Sequence, residues 1–344
     1  MKTTQPRVRA HSAIYAALGG PVRPTAIVEG ARNAGMPLEL DWVREVRVNR
    51  SAVERRASTL GTRRSVKKEW QAGWLLKAIT MIDLTTLSGD DTEARVRRLC
   101  AKARQPVRRD LLAALGMPED GLRVGAVCVY HQMVGAAVDA LEGSGIPVAA
   151  VAAGFPHGLS PRPQRVAEIE ASVAAGAAEI DIVVTRAHVL TGNWQALYDE
   201  VRAFRDASGD AHMKTILATG ELAMLRNVQK ASLVCMMAGA DFVKTSTGKE
   251  SVNATLPVGL TMARAVRAYA ERTGYAIGFK PAGGIRTAKD ALTWLFLMKE
   301  ELGSGWLQPS LFRFGASSLL ADIERQLEHH VTGRYSALHR HPLA

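Results

Sequence analysis

The feature that most constrains the fold of this chain is a regular alternation of short apolar runs with stretches of helical periodicity. Eight apolar or β-branched runs, each followed by a turn and usually by a helical stretch, lie at 79–85, 124–130, 148–153, 179–185, 213–219, 241–247, 276–280 and 311–315. In the first connection Val96, Leu99, Cys100 and Ala103 recur at i, i+3, i+4 and i+7. Eight strand–helix units over about 240 residues predict an α/β protein, a (β/α)8 TIM barrel.

Other classes of protein fit this sequence less well. An open doubly wound sheet is disfavoured because no GxGxxG motif follows the first run. The chain has 344 residues, 47% of them apolar, which is enough for a large core and excludes a disordered or fibrous protein. Its longest apolar stretches, such as 148–155, are far shorter than the roughly 18 to 20 residues of a membrane helix, and no signal-peptide core follows a charged start. We therefore expect a cytoplasmic protein without a membrane partner.

The cysteines and histidines do not predict a structural metal or a disulfide framework. The three cysteines, Cys100, Cys128 and Cys235, form no CxxC pair and have no histidines at zinc-ligand spacing around them. The nine histidines include no HExxH motif. We expect no bound metal and a reducing compartment.

The chain outside the barrel divides into three segments. Residues 1–40 contain few acids and are broken by glycines and prolines, so we expect a flexible arm, with a transit peptide as the minor alternative. Residues 41–77 are predicted to form a basic helical extension packed on the barrel. The barrel itself is expected over 78–328, followed by a C-terminal tail over 329–344.

The positive charge of the chain invites a nucleic-acid interpretation, which its distribution disfavours. The net charge is +11, and nine basic residues lie between Arg44 and Lys68 against two acids. Clustered cations bind phosphates by releasing counterions, but no aromatic side chain for base stacking interleaves this segment. We favour a solvated helical face that docks on the main domain, and steering of an anionic substrate is a third use of the same charge.

Charged residues inside apolar runs are the strongest chemical signal in the sequence. Asp181 lies in the fourth run, Lys244 in the sixth and Lys280 in the seventh. Alternation along each strand predicts that all three point into the barrel, where burial lowers a lysine pKa. Two ammonium groups on strands about 4.8 Å apart also repel each other, which makes one amine a nucleophile. The residues indicate a Schiff-base site with a carboxylate for proton transfer; a structural ion pair is the alternative.

Small and polar residues after the later runs indicate an anion pocket. Glycines there let the backbone approach a ligand closely, and barrels often bind phosphate after their last two strands. The two serines after the eighth run would also suit the N-cap of the final helix, which is compatible with phosphate binding. The candidate substrate- and phosphate-binding residues are Thr219, Gly248, Lys249, Gly283, Gly284, Arg286, Gly315, Ser317 and Ser318.

With these residues, the sequence resembles the deoxyribose-phosphate aldolases, a family of class I lyases. The resemblance rests on motifs in every predicted strand, among them IDLTTL at 82–87, GFPHG at 154–158, DFVKTSTGK at 241–249, GFKPAGGIR at 278–286 and FGASS at 314–318. Segments 38–74 and 329–335 resemble the longer subgroup of the family.

The resemblance implies a reaction and a role for each catalytic candidate. Lys244 would form a Schiff base with acetaldehyde or with C1 of the sugar, Lys280 would tune it, and Asp181 would transfer protons together with Lys280. The reaction would be the reversible cleavage of 2-deoxy-D-ribose 5-phosphate to D-glyceraldehyde 3-phosphate and acetaldehyde, in deoxyribonucleoside catabolism. The partners would be phosphorylated sugars and aldehydes, with no nucleic acid, cofactor or metal.

One departure from the family and two alternatives remain open. Shorter members end in a tyrosine that assists proton transfer, whereas the last tyrosine here is Tyr335, so either Tyr335 or water would take that part. Two other interpretations of the chain remain. It could be another Schiff-base lyase, of the keto-acid or transaldolase type, or a binding protein whose barrel has lost its catalytic function. The oligomeric state, including a homo-oligomer, is not determined by the sequence.

Overall fold

Eight parallel strands form the centre of the molecule. The computed structural model describes residues 32–63 and 65–341. The strands are β1 (Ile82–Thr85), β2 (Ala126–Tyr130), β3 (Val148–Ala152), β4 (Glu179–Val183), β5 (His212–Ile216), β6 (Phe242–Lys244), β7 (Gly278–Lys280) and β8 (Phe314–Ala316). Consecutive strands pair from β1 to β7, and β8 pairs with β1. Parallel bridges Phe279↔Phe312 and Ala282↔Gly315 bring β7 to β8 and close the sheet, which confirms the predicted (β/α)8 barrel.

Helices surround this sheet on its outer side. They are α1 (Leu40–Glu45), α2 (Arg50–Ser58), α3 (Leu60–Arg63), α4 (Lys68–Thr80), α5 (Glu93–Arg104), α6 (Arg109–Ala114), α7 (Val134–Leu141), α8 (Arg162–Ala174), α9 (Arg186–Leu190), α10 (Trp194–Ala207), α11 (Leu225–Met237), α12 (Leu256–Thr273), α13 (Ala288–Leu302) and α14 (Leu319–Thr332). The apolar stripe predicted from 96 to 103 is the buried face of α5. The helix begins after Thr92, whose hydroxyl accepts a hydrogen bond from the backbone of Arg95.

Several strands are shorter than the apolar runs that predicted them. The first run, 79–85, begins with Ile79 and Thr80, which belong to α4, and the strand starts only at Ile82. Short apolar runs do not distinguish a buried helix end from a buried strand. The eighth strand starts at Phe314, three residues after the start of its run at 311, and continues to Ala316.

The basic segment ahead of the barrel is helical and lies against it. Helix α2 packs on α12, and α4 packs on α13 and α14. Arg56 and Arg63 donate to the Glu300 carboxylate at 2.9 and 3.1 Å. Arg64 lies outside the described residues. The expected boundaries at 77/78 and 328/329 fall inside α4 and α14, so neither marks a break in the structure.

The predicted flexible arm, 1–40, falls mostly on residues 1–31, which lie outside the described part of the chain. From residue 32 onwards the structure differs from the prediction. Asn33 is 4% exposed, and its side-chain amide donates to the carbonyls of Met236 and Ala240 at 2.7 and 2.9 Å. Its backbone N–H donates to the carboxylate of Asp241. A buried amide with all these partners holds the chain against the barrel wall. Contacts of this kind are not predicted by any local periodicity of the sequence.

Within the described ranges, no helix combines the length and the apolar character needed to cross a membrane.

Candidate active site

The three catalytic candidates meet inside the barrel. Lys244 and Lys280 are register partners at the carboxyl ends of β6 and β7. Asp181 lies in the middle of β4, and its Oδ2 accepts hydrogen bonds from both Nζ atoms, each at 2.7 Å. The three side chains are 3%, 0% and 0% exposed for Lys244, Lys280 and Asp181. The alternation read from the sequence therefore gives the correct inward orientation of all three.

Four further charged side chains extend this cluster, and none of them was among the predicted site residues. Lys214 on β5 donates to Asp181 Oδ1 at 2.8 Å and to Glu179 Oε2 at 2.6 Å. Arg313 donates to Glu179 Oε1 at 2.8 Å and to Asp83 Oδ1 at 2.6 Å. Lys280 Nζ lies 2.5 Å from Asp83 Oδ2, which completes a closed ring of contacts.

These seven residues are called the barrel network below. Its members are Asp83, Glu179, Asp181, Lys214, Lys244, Lys280 and Arg313, none more than 5% exposed. Two of the members that were not predicted had a usable sequence signal. Asp83 and Lys214 lie inside apolar strands just as Lys244 does, and the same alternation argument would have found them.

The charges of the barrel network do not balance unless one basic group is neutral. Four basic side chains face three carboxylates, and an unpaired buried charge is strongly disfavoured. Burial and the nearby ammonium of Lys280 lower the pKa of Lys244 below its ordinary value, although Asp181 acts in the opposite direction. Burial also disfavours the charged form of Lys280, but Asp181 and Asp83 outweigh it and raise the pKa of Lys280. Lys244 is therefore the member suited to be a neutral amine.

The neighbours of Lys214 and Asp181 favour the charged forms of these two side chains. Burial would lower the pKa of Lys214, but the carboxylates of Asp181 and Glu179 raise it above its ordinary value. Burial would raise the pKa of Asp181, and the three lysines around it bring that pKa well below the ordinary value. With Lys244 as a neutral amine, the remaining six side chains of the barrel network are three basic and three acidic groups.

A cavity of about 370 Å³ opens beside Lys244 at the carboxyl ends of the strands. We call it the C-face cavity. Of the nine predicted substrate- and phosphate-binding residues, the eight that line it are Gly248, Lys249, Gly283, Gly284, Arg286, Gly315, Ser317 and Ser318. Arg95, which the sequence interpretation missed, lines it too.

Glycines shape the wall of the C-face cavity. Gly283 and Gly284 have φ values of +80° and +84°, which favour glycine. A Cβ atom at Gly315 would lie 2.7 Å from the Cβ of Ala282 and 3.3 Å from Cε of Lys280. A side chain at Gly315 would therefore displace the lysine next to the cavity.

The polar groups of the cavity include several without a carboxylate partner. Lys249 Nζ donates to the carbonyl of Leu87 at 2.9 Å. The Arg286 guanidinium makes no ion pair with the residues that the structure describes. Ser318 occupies the N-cap position of α14, but its hydroxyl makes no capping hydrogen bond and is therefore available to a ligand. The N-terminus of α14 and these cations favour an anion.

Thr219 is the one predicted binding residue that the structure does not place in this cavity. It lies in the turn after β5, is 5% exposed, and donates its backbone N–H to the carbonyl of Thr245 at 2.9 Å. Its hydroxyl is buried without a partner among the described residues. The sequence placed it at a strand end, but the turn packs it into the wall between β5 and β6.

Tyr335, one of the two candidates for the proton relay, lies away from the site, so the geometry favours water, the other candidate. It is 91% exposed and stacks on His329 with ring centroids 4.8 Å apart. Helix α14 starts at the C-face cavity and has 14 residues, so its far end lies about 21 Å away. The chain after the helix folds back on it, because Ser336 and His341 both contact the carboxylate of Glu328.

A small apolar cluster adjoins the barrel network. It consists of Cys128, Ala149 and Val151, with Leu87, Tyr130 and Phe155 packed against it. Burial raises the pKa of the Cys128 thiol, so this cysteine is a small apolar side chain rather than a thiolate. Among the described residues, no group of three or more histidine, cysteine, aspartate or glutamate side chains is arranged to hold a metal ion.

Comparison with known proteins agrees with this geometry. Residues 77–324 match the model of the DeoC/LacD family aldolases. The chain is 60% identical to the deoxyribose-phosphate aldolase of Homo sapiens over 316 residues, covering 91% of this chain and 99% of that protein. It is 62% identical to the Mus musculus deoxyribose-phosphate aldolase over 312 residues, covering 90% and 98%.

Solved structures give the same fold. QR15, described as an aldolase, superposes with a TM-score of 0.56 at 26% identity and covers 74% of this chain and 97% of its own. The deoxyribose phosphate aldolase of Aeropyrum pernix, described as having a unique tetrameric structure, has a TM-score of 0.56 at 23% identity, covering 81% and 99%. At that identity the second likeness concerns the fold alone.

A closed (β/α)8 barrel with two adjacent buried lysines and a shared aspartate is the arrangement of a lysine-dependent aldolase. The match over 77–324 and the sequence identity to the two mammalian proteins identify the aldolase family. The chain belongs to the DeoC/LacD aldolase family, as the resemblance indicated.

Proposed function

We propose that this protein catalyses the reversible retro-aldol cleavage of 2-deoxy-D-ribose 5-phosphate to D-glyceraldehyde 3-phosphate and acetaldehyde. Family membership and the names of the mammalian relatives support this substrate. The observation that carries the chemistry is the position of Lys244, an amine with a lowered pKa at the floor of the C-face cavity. Its neighbours are the Asp181 carboxylate and the Lys280 ammonium.

Lys244 is the proposed nucleophile. Its neutral nitrogen attacks C1 of the open-chain sugar, and loss of water leaves an iminium ion. Removal of the C3 hydroxyl proton then breaks the C2–C3 bond, and the electron pair of that bond moves into the iminium to form an enamine. D-Glyceraldehyde 3-phosphate leaves, the enamine is protonated on carbon, and water hydrolyses the resulting iminium to acetaldehyde and the free lysine. The iminium is the electron sink, so this sequence of steps requires no cofactor or metal.

Asp181 and Lys280 are the proposed proton-transfer groups. Asp181 Oδ2 contacts both lysine nitrogens at 2.7 Å, so one oxygen can accept a proton from either side. Lys280 stays cationic because two carboxylates raise its pKa, and its charge favours the neutral form of Lys244. Geometry and charge therefore support different roles for the two lysines.

The C-face cavity is the proposed binding site of the substrate phosphate. Backbone groups at the three glycines 283, 284 and 315 allow close approach, and the hydroxyls of Ser317 and Ser318 lie at the start of α14. Lys249, Arg286 and Arg95 supply positive charge. The apolar cluster around Cys128 suits the methyl carbon of acetaldehyde on the other side of the site.

The physiological setting is part of the same proposal. We propose that the enzyme acts in deoxyribonucleoside catabolism in the cytoplasm, on phosphorylated sugars and aldehydes rather than on nucleic acid. Pairing of Arg56 and Arg63 with Glu300 supports a structural use of the basic segment. A homo-oligomer is also proposed, because the Aeropyrum pernix relative is described as tetrameric; light scattering of the purified chain tests it.

The decisive experiment is reductive trapping. The protein is treated with acetaldehyde and borohydride, and the modified peptide is mapped by mass spectrometry for the wild type and for Lys244→Ala. An adduct on the Lys244 peptide that is absent from the variant is expected. An adduct on Lys214 or Lys280 would reassign the nucleophile, and no adduct would overturn the Schiff-base reaction. Assay of 2-deoxy-D-ribose 5-phosphate beside keto-acid donors then identifies the substrate.

A further inference from the structure

The barrel network reaches far beyond the catalytic lysines, to the opposite end of the barrel. Glu179 is the first residue of β4 and Arg313 directly precedes β8, so both lie at the amino ends of the strands. There they line a second cavity of about 410 Å³ together with His212 and Arg123, which we call the N-face cavity. The C-face and N-face cavities share no lining residue, yet the barrel network has members in both.

We propose that Glu179 and Arg313 are positioning residues that set the protonation state of Lys244 from the amino end of the barrel. The proposal rests on the proposed function for the role of Lys244. Neither residue lines the C-face cavity, so neither is assigned contact with the substrate.

Two unbroken paths of contacts connect this pair to Lys244. Along one path Glu179 accepts from Lys214 at 2.6 Å, Lys214 donates to Asp181 at 2.8 Å, and Asp181 accepts from Lys244 at 2.7 Å. Along the other, Arg313 donates to Asp83 at 2.6 Å, Asp83 lies 2.5 Å from Lys280, and Lys280 shares Asp181 with Lys244. The Arg313–Glu179 contact at 2.8 Å joins the two paths.

The proposal follows from the charges along these paths. Three carboxylates balance three cations only when Lys244 is neutral, so Glu179 and Arg313 each contribute one unit to that balance. Loss of the Glu179 charge leaves an excess cation, which disfavours a fourth positive charge on Lys244. Loss of the Arg313 charge leaves an excess anion, which favours the ammonium form. The two changes therefore act on Lys244 in opposite directions, which a purely structural pair would not do.

The test measures the protonation of Lys244 directly. Reductive methylation with formaldehyde and cyanoborohydride is followed at Lys244 by peptide mapping over a range of pH, for wild type, Glu179→Gln and Arg313→Gln. For a unit charge within about 10 Å in a protein interior, a shift of about one pH unit is expected. The midpoint should fall in Glu179→Gln and rise in Arg313→Gln. The acid limb of kcat/KM for the sugar phosphate should move in the same directions.

Two control variants separate this effect from loss of stability. Glu200→Gln makes the same chemical change in another buried ion pair, with Arg165 at 2.7 Å, outside the barrel network. It should lower the thermal midpoint without moving the Lys244 titration. Glu179→Asp keeps the charge and should retain the wild-type titration.

Each result decides the question. Unchanged midpoints in Glu179→Gln and Arg313→Gln, or shifts in the same direction, would overturn the proposal. If Glu179→Gln does not fold, Arg313→Gln alone tests the predicted rise, and failure of both to fold would make the pair structural. Because methylation does not require aldolase activity, its outcome is independent of acetaldehyde trapping, whose failure in the wild type would overturn the proposed function instead.

Discussion

The two ends of the barrel use the same kinds of charged residues in different ways. At the N-face cavity, Arg313 and Glu179 are each matched by ions of opposite charge within 2.8 Å. At the C-face cavity, the Lys249 ammonium donates to a backbone carbonyl, and the Arg286 guanidinium forms no ion pair among the described residues. Arg95, which also lines this cavity, lies 3.5 Å from Asp90 and Asp91. The unmatched Lys249 and Arg286 suit an external anion, whereas the matched Arg313 and Glu179 stabilise a fixed arrangement. Arg123 is an exception at the N-face cavity, because its guanidinium donates to the carbonyl of Ser144 and pairs with no carboxylate among the described residues. The contrast between these two pairs of residues teaches that a charged side chain that the protein leaves without an ionic partner can bind an external ion, whereas one in a buried ion cluster is already neutralised.

The largest expected effect comes from removing the amine of Lys244, which lines the C-face cavity and belongs to the barrel network. Lys244→Met should lower kcat by more than about 10⁴-fold, because loss of a covalent nucleophile removes the reaction path. The variant should fold, since the remaining three cations and three carboxylates balance. Steady-state kinetics and circular dichroism measure both. Substantial residual cleavage would show that another lysine forms the Schiff base.

The next effect concerns the carboxylate that the lysines share. Asp181→Asn leaves buried lysines without their common anion, and breaking a buried pair in this way costs about 3 to 5 kcal/mol of unfolding free energy. The native pKa of Asp181 lies well below its ordinary value, so the ionised carboxylate stabilises the fold above the unfolded pKa, and that stability is lost as the pH falls through the folded pKa. The free energy of unfolding of the variant should therefore fall less steeply than that of the wild type as the pH is lowered.

Urea titrations between neutral and acid pH measure this difference. The Glu200→Gln variant is the comparison, because Glu200 belongs to a separate buried ion pair. Equal acid sensitivity of Asp181→Asn and the wild type would contradict the role assigned to the Asp181 charge.

A smaller effect would sharpen the contrast between the two cavities. Arg286→Gln should raise KM for the sugar phosphate by about tenfold, with little change in kcat, because one charge-assisted hydrogen bond is lost. Cleavage of unphosphorylated 2-deoxyribose should be unaffected. Arg123→Gln removes an equivalent charge from the N-face cavity and should leave KM unchanged. A similar KM increase in both variants would contradict the assignment of phosphate binding to the C-face cavity.

The smallest effect is expected at Tyr335. Because this side chain lies at the far end of α14, Tyr335→Phe should leave exchange of the acetaldehyde methyl protons in deuterated water unchanged. Proton NMR follows the exchange, with Lys244→Met as the inactive control. Slower exchange in the tyrosine variant would show that Tyr335 takes part in proton transfer, as one of the two sequence-based alternatives predicts.

Local patterns predicted much of the site because they depend only on neighbours along the chain. Lys244 and Lys280 stand out because a lysine inside an apolar strand is unusual wherever the strand lies, and alternation then gives its direction. The glycines and serines after β7 and β8 were predicted together because the carboxyl ends of all barrel strands meet at one face. The lining of the C-face cavity agrees with that expectation, apart from Thr219.

The sequence by itself determined the eight strand–helix units, the inward lysines and aspartate, and the family, since periodicity and motifs are local properties. Only the tertiary structure decided which charges meet. Asp83, Glu179 and Arg313 come from three distant parts of the chain, and closure of the barrel brings them into one ion cluster. The packing of Asn33 and the direction of the chain after α14 were likewise decided by long-range contacts. Coulomb and hydrogen-bond energies depend on distances in space, which spacing along a sequence does not contain.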